Sequence, residues 1–172
     1  MTKMAQHPAA SLPQSDRVEY LNVIASMALV DGRAAEPELM KLERLGEALA
    51  LPTAIVAVEL VSLKKGRIAG QVTREGMLRF RQKAAIRESL MMDSIVLAFS
   101  DGQLVPTESK QLTALATALG YAHEEVVALA RMVEKILFKR GEVEDQFLAR
   151  QFGETLAAAL APGGWLHRPG RV

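Results

Sequence analysis

The chain has 172 residues, 49% of them apolar and 24% charged, enough for one domain with a full core and too apolar for a disordered segment. It has no cysteine, which excludes disulfides, thiolate metal sites and cysteine nucleophiles and fits a reducing compartment, the cytoplasm by default. A formal net charge of +1 excludes a nucleic-acid footprint spread over the whole surface, and no charge-free stretch reaches the roughly 18 apolar residues that span a bilayer.

Residues 1–14 lack the apolar core of a signal peptide and are expected to form a flexible N-terminal segment. From there to residue 161 apolar residues recur at spacings of three and four, with no sustained alternation, so the expectation is a single all-α domain of seven or eight helices. Ser15 and Asp16 are placed to cap a first helix carrying Val18, Leu21, Ile24, Ala25, Ala28 and Leu29 on one face. After Asp31-Gly32 a second helix begins near Pro37 and buries Leu39, Leu42, Leu45 and Leu49; a third, after Pro52, stops at Gly66. Helices resume near Thr73, with a break expected near Gly76 or Ala84, and run to Ser100. Pro106 starts a helix with Leu112, Leu115 and Leu119, which Gly120 ends. Two further helices are expected, one with Val126, Val127, Leu129, Val133, Ile136 and Leu137, and one from Glu142 with Phe147, Leu148, Phe152, Leu156 and Leu160. Pro162-Gly163-Gly164 opens a flexible tail over 162–172.

The pattern repeats itself. Asp31-Gly32, Glu38, Leu42, Leu45, Ala48 and Leu49 recur seventy positions on, without a gap, as Asp101-Gly102, Glu108, Leu112, Leu115, Ala118 and Leu119. Residues 18–63 and 88–133 are therefore expected to be two copies of one helical hairpin unit. Three readings of the turns stay open. In the first, glycine permits positive φ, aspartate accepts hydrogen bonds from nearby backbone N–H groups, and Glu38 and Glu108 favour a helix start. In the second, Asp31, Glu38, Asp101 and Glu108 converge across a pseudo-two-fold on a divalent cation, Ca, Mg or Mn, through oxygen ligands. An EF-hand is excluded, because Met27 and Leu29, and likewise Leu97 and Phe99, stand where oxygen ligands would be needed. In the third, the acids form a patch for a protein partner.

The run M-A-L-V-D-G-R-A-A-E-P-E-L-M-K-L at 27–42, echoed by L-A-F-S-D-G-Q-L-V-P-T-E-S-K-Q-L at 97–112, resembles the tellurite-resistance TerB family and its relatives, which include a domain of a membrane-anchored J-domain co-chaperone. The resemblance covers about residues 16–138. It implies an internally duplicated all-helical domain with clustered acids proposed to bind divalent metal, a scaffold in stress-response or membrane-associated assemblies, and no established enzyme activity. The family's acidic positions fall on Asp31, Glu38, Asp101 and Glu108.

Charge is unevenly placed. Lys64, Lys65, Arg67, Arg74, Arg79, Arg81, Lys83 and Arg87 face Glu75 alone in their stretch, a net +7 that leaves −6 on the remainder. This segment is a candidate surface for an anionic partner. With Phe80 its single aromatic, base stacking is disfavoured against an anionic membrane surface or an acidic protein. Three histidines, His7, His123 and His167, without a phosphate loop or a nucleophile motif, argue against an enzyme. The expectation is a cytoplasmic, non-enzymatic binding module with a protein partner and no implied oligomer, and the alternative is an electrostatic adaptor that docks an anionic membrane, at its inner face, or nucleic acid through residues 64–87.

Overall fold

The computed structural model describes residues 6–29, 34–98, 106–122 and 124–125. Among them are six α-helices and no strand: α1 (Gln14–Ala28), α2 (Glu36–Ala48), α3 (Thr53–Lys64), α4 (Arg74–Gln82), α5 (Ala84–Ala98) and α6 (Pro106–Ala118). The all-α expectation holds for these residues. The helices expected beyond residue 125 and the tail at 162–172 lie outside the described residues. The bounds of α5 and α6 are those of α1 and α2 displaced by seventy positions.

The two long helices α1 and α5 form the centre. They pack on each other; α2 and α3 lie on α1, α4 lies on α5, and α6 touches both. Each is buried almost all round, α1 through Tyr20, Leu21, Val23, Ile24, Ala25, Met27 and Ala28, and α5 through Ile86 and nearly everything from Ser89 to Ala98. A single apolar face, as expected for α1, is what an outer helix needs; a helix with neighbours on every side needs more. The outer helix α2 does follow the one-face rule, with Leu39, Leu42, Leu45 and Leu49 all buried.

Helix ends depart from expectation at one point. Ser15 and Asp16 lie inside α1, which begins at Gln14 after Pro13 without a side-chain cap, and Asp16 instead accepts two bonds from the Arg79 guanidinium at 3.0 and 3.2 Å. Residues 7–12, within the stretch expected to be flexible, are packed against α5: a 3-10 helix spans Pro8–Ser11 and His7, Ala9 and Leu12 are buried.

The C-termini of α2 and α6 share one closure. Leu51 N–H bonds Gly46 O at 3.1 Å and Ala50 N–H bonds Glu47 O at 2.9 Å; seventy positions on, Tyr121 bonds Ala116 at 2.8 Å and Gly120 bonds Thr117 at 3.1 Å. This double bond closes a helix through a left-handed residue, here Ala50 at φ 55° and Gly120 at φ 84°. Alanine is strained there and glycine is not. Ala50→Gly is therefore expected to stabilise the fold by about 0.5 to 1 kcal/mol, the left-handed strain relieved less the extra chain entropy of glycine, read as a raised urea midpoint. Gly120→Ala should lower it, since a Cβ there would also meet the Arg81 guanidinium at 3.0 Å.

Candidate functional site

The acidic turns come first. Glu38 is the third residue of α2 and Glu108 the third residue of α6. The Glu38 carboxylate reaches back to accept the Ala35 N–H at 2.9 Å, the capping half of its expected work. Asp31, Asp101 and the side chain of Glu108 lie outside the described residues. Among the described residues no three acidic or histidine side chains gather at metal-binding distance, so a cation would need the turn aspartates as well as Glu38.

Ile24 of α1, Lys41, Leu42 and Leu45 of α2, and Asp93, Val96 and Leu97 of α5 line one small cavity of about 10 Å³, room for about one water molecule. Lys41 Nζ donates to Val96 O at 3.0 Å beside it. The C-terminal halves of α1 and α5 thus meet the middle of α2.

The eight basic residues do not act as one strip. Arg79 is paired with Asp16 at 3.0 Å and Glu19 at 3.5 Å. The Arg87 guanidinium stands 4.8 Å from the centre of the Tyr121 ring, a cation–π contact. Arg81 lies against Gly120. Lys64, Lys65, Arg67, Arg74 and Lys83 are exposed and make no ion pair among the described residues. The segment divides because its residues sit on the end of α3, a loop, α4 and the start of α5, which face different neighbours. Phe80 is buried and packs edge-on to Tyr20 at 5.8 Å, so it offers no face to a nucleobase.

Two buried polar groups stand outside the sequence expectations. The first is centred on Asp93. His7 Nδ1 accepts the Ala9 N–H at 2.9 Å, which places the ring proton on Nε2, and Nε2 donates to Asp93 Oδ2 at 2.9 Å. Tyr20 donates to the same oxygen at 2.5 Å and lies 2.9 Å from Ser89 Oγ. Burial pushes the Asp93 carboxyl up, with the His7 and Tyr20 contacts opposing, and burial together with the Asp93 charge raises the Tyr20 phenol well above its ordinary value. His7, Ser89 and Asp93 are at most 3% exposed and Tyr20 is fully buried, so no substrate reaches this network. It ties the N-terminal segment to α5.

The second group fastens the connection between α3 and α4. Glu19 accepts from Thr73 N–H at 2.6 Å and Thr73 Oγ1 at 2.7 Å, while Thr73 caps α4 by accepting from Gly76 N–H at 3.0 Å. A Cβ on Gly76 would lie 2.3 Å from the Glu19 carboxylate, so any other residue there would displace that carboxylate from Thr73. Glu59 of α3 accepts the Ala69 N–H, and its Oε1 has no partner among the described residues. A lone acid within an apolar helical run, Asp93 after Met91-Met92 and Glu59 within A-V-E-L-V, is the sequence signal that marks both.

Compared with family models, curated proteins and solved structures, the chain matches none significantly.

Proposed function

We propose that this chain is a non-enzymatic binding or scaffold module of TerB-like type, built by duplication, whose two Asp-Gly turns together hold a divalent cation in a stress-response or membrane-associated assembly. The observation that carries this reading is the meeting of the C-terminal halves of α1 and α5 at the middle of α2 around the small cavity. Asp31 follows the end of α1 by three residues and Asp101 follows the end of α5 by three. Three residues reach at most about 10 Å, so turns that leave neighbouring helix ends would be within reach of one another. The carboxylates of Asp31, Glu38, Asp101 and Glu108 would supply the oxygen donors, and the cation would relieve their mutual repulsion.

Thermal melting with millimolar calcium, magnesium or manganese tests it. Stabilisation of about 2.7 kcal/mol is expected when the cation is at a hundredfold excess over its Kd, and Asp31→Asn with Asp101→Asn should abolish the shift while the apo fold persists. A wild-type curve that none of the three ions moves returns the acids to turn formation and capping.

A second reading has its own observation: Lys64, Lys65, Arg67, Arg74 and Lys83, exposed and without an ion pair among the described residues, fit an electrostatic adaptor for an anionic membrane. The buried Phe80 disfavours single-stranded nucleic acid. Co-sedimentation with anionic liposomes that is lost as salt rises would support this adaptor, and no co-sedimentation at low salt would exclude it.

A further inference from the structure

The outward face of α3 has no structural reason to be apolar. Val56, Glu59 and Leu63 face inward and are buried, while Val58 and Val61 are 58% and 50% exposed and Ala54 and Ala57 are exposed beside them. These four positions run i, i+3, i+4, i+7, one stripe of a helix. Single exposed apolar residues are ordinary, but a continuous stripe is a contact surface. The sequence repeat sharpens the point. The counterparts of Ala54, Ala57, Val58 and Val61, seventy positions on, are Glu124, Val127, Ala128 and Arg131, so the repeated unit does not require the stripe to be apolar at its two ends. At its C-terminal end the stripe is bordered by Lys64, Lys65 and Arg67, all exposed.

We propose that this face is the docking site of the chain's own residues 142–156, laid antiparallel to α3. That segment opens with Glu142, Glu144 and Asp145 and continues with Leu148, Phe152 and Leu156 at four-residue spacing. In antiparallel register its acids stand opposite Lys64, Lys65 and Arg67, Leu148 opposite Val61, Phe152 opposite Val58 and the small Ala57, and Leu156 opposite Ala54. Acids at one helix start and lysines at the other helix end each also suit the helix dipole. Sixteen residues, 126–141, separate the last described residue from the segment, and they can span up to about 50 Å when extended. The cation site is independent of this docking.

The absence of native cysteine makes the test direct. In the full chain, Val61→Cys with Leu148→Cys should form an intramolecular disulfide at least about tenfold faster than Val61→Cys with Arg150→Cys, whose second position lies on the opposite side of the segment. Lys64→Glu with Lys65→Glu should slow the reaction severalfold, and adding Glu144→Lys with Asp145→Lys should restore it, which separates docking from any loss of fold. Equal rates for the two pairs would overturn the proposal. So would a disulfide that forms chiefly between two molecules at low micromolar protein, which would assign the face to a second copy.

Discussion

Leu42→Ala and Leu112→Ala are each expected to destabilise the fold by about 2 to 5 kcal/mol. Both side chains are 1% exposed, and they occupy corresponding positions on α2 and α6, α2 laid on α1 and α6 on both central helices. The cost has two parts, the lost transfer of the buried methyl groups and the hole left behind. Leu42 already lines the small cavity shared with α1 and α5, so its removal enlarges an existing space and belongs at the upper end of the range. Met40, on the same helix but 54% exposed, is the internal control: Met40→Ala should stay within about 0.5 kcal/mol. Denaturant midpoints check this, with the slope expected to stay constant. Midpoints that scarcely move for either leucine would show that the buried faces are wrongly assigned.

The second large effect concerns pH. Glu59 is 2% exposed, and burial pushes its carboxyl from the ordinary 4.5 up to about 7, with the Ala69 N–H pulling the other way. The folded state therefore binds this proton more tightly than the unfolded chain does. Its contribution to stability is fully present below about pH 4.5 and is lost as pH rises through about 7. The loss is about 2 to 3 kcal/mol, since a tenfold change in proton affinity is worth roughly 1.4 kcal/mol and some solvent reaches the group. Glu59→Gln keeps the shape and the acceptor for Ala69 but cannot ionise. It should match wild type near pH 5 and exceed it at pH 8. Denaturation curves at pH 5, 6, 7 and 8 check this, and parallel profiles for the two proteins would refute it. Leu129, the counterpart of Glu59 in the repeat, marks this as a core position that happens to hold an acid.

Much of the fold was legible because local signals and packing agree. Pro106 opens α6, Gly66 and Gly120 close α3 and α6 with positive φ, and the leucines of α2 lie inward. What the sequence hid is what depends on distant partners. The basic segment reads as one charged run, yet Arg79 is neutralised by Asp16, 63 positions away, and Arg87 is engaged by the ring of Tyr121. His7 meets Asp93 across 86 positions, and nothing near His7 in sequence announces it. Asn22, Glu19 and Asp93 on the central helices break the one-face pattern because these helices are enclosed on every side. The cation site stays a matter of sequence, since Asp31 and Asp101 lie outside the described residues.

The pairing of α1 with α5 has a meaning for how such a chain arose. Tyr20 of α1 meets Ser89 of α5, one position from its own counterpart, Leu90. Contact of equivalent surfaces is the geometry of a two-fold homodimer, in which each subunit offers the same patch to the other. Within one polypeptide, this is the contact that a fusion of two copies of the proposed repeat would leave, joined through the connection that Glu19, Thr73 and Glu59 fasten. In such a fusion the two copies are free to diverge. One carries Tyr20 where the other carries Leu90, and Val23 where the other carries Asp93, so the Tyr20–Asp93 hydrogen bond has no symmetry-related mate. Separated halves would be expected to associate through the surfaces of α1 and α5 that pack on each other.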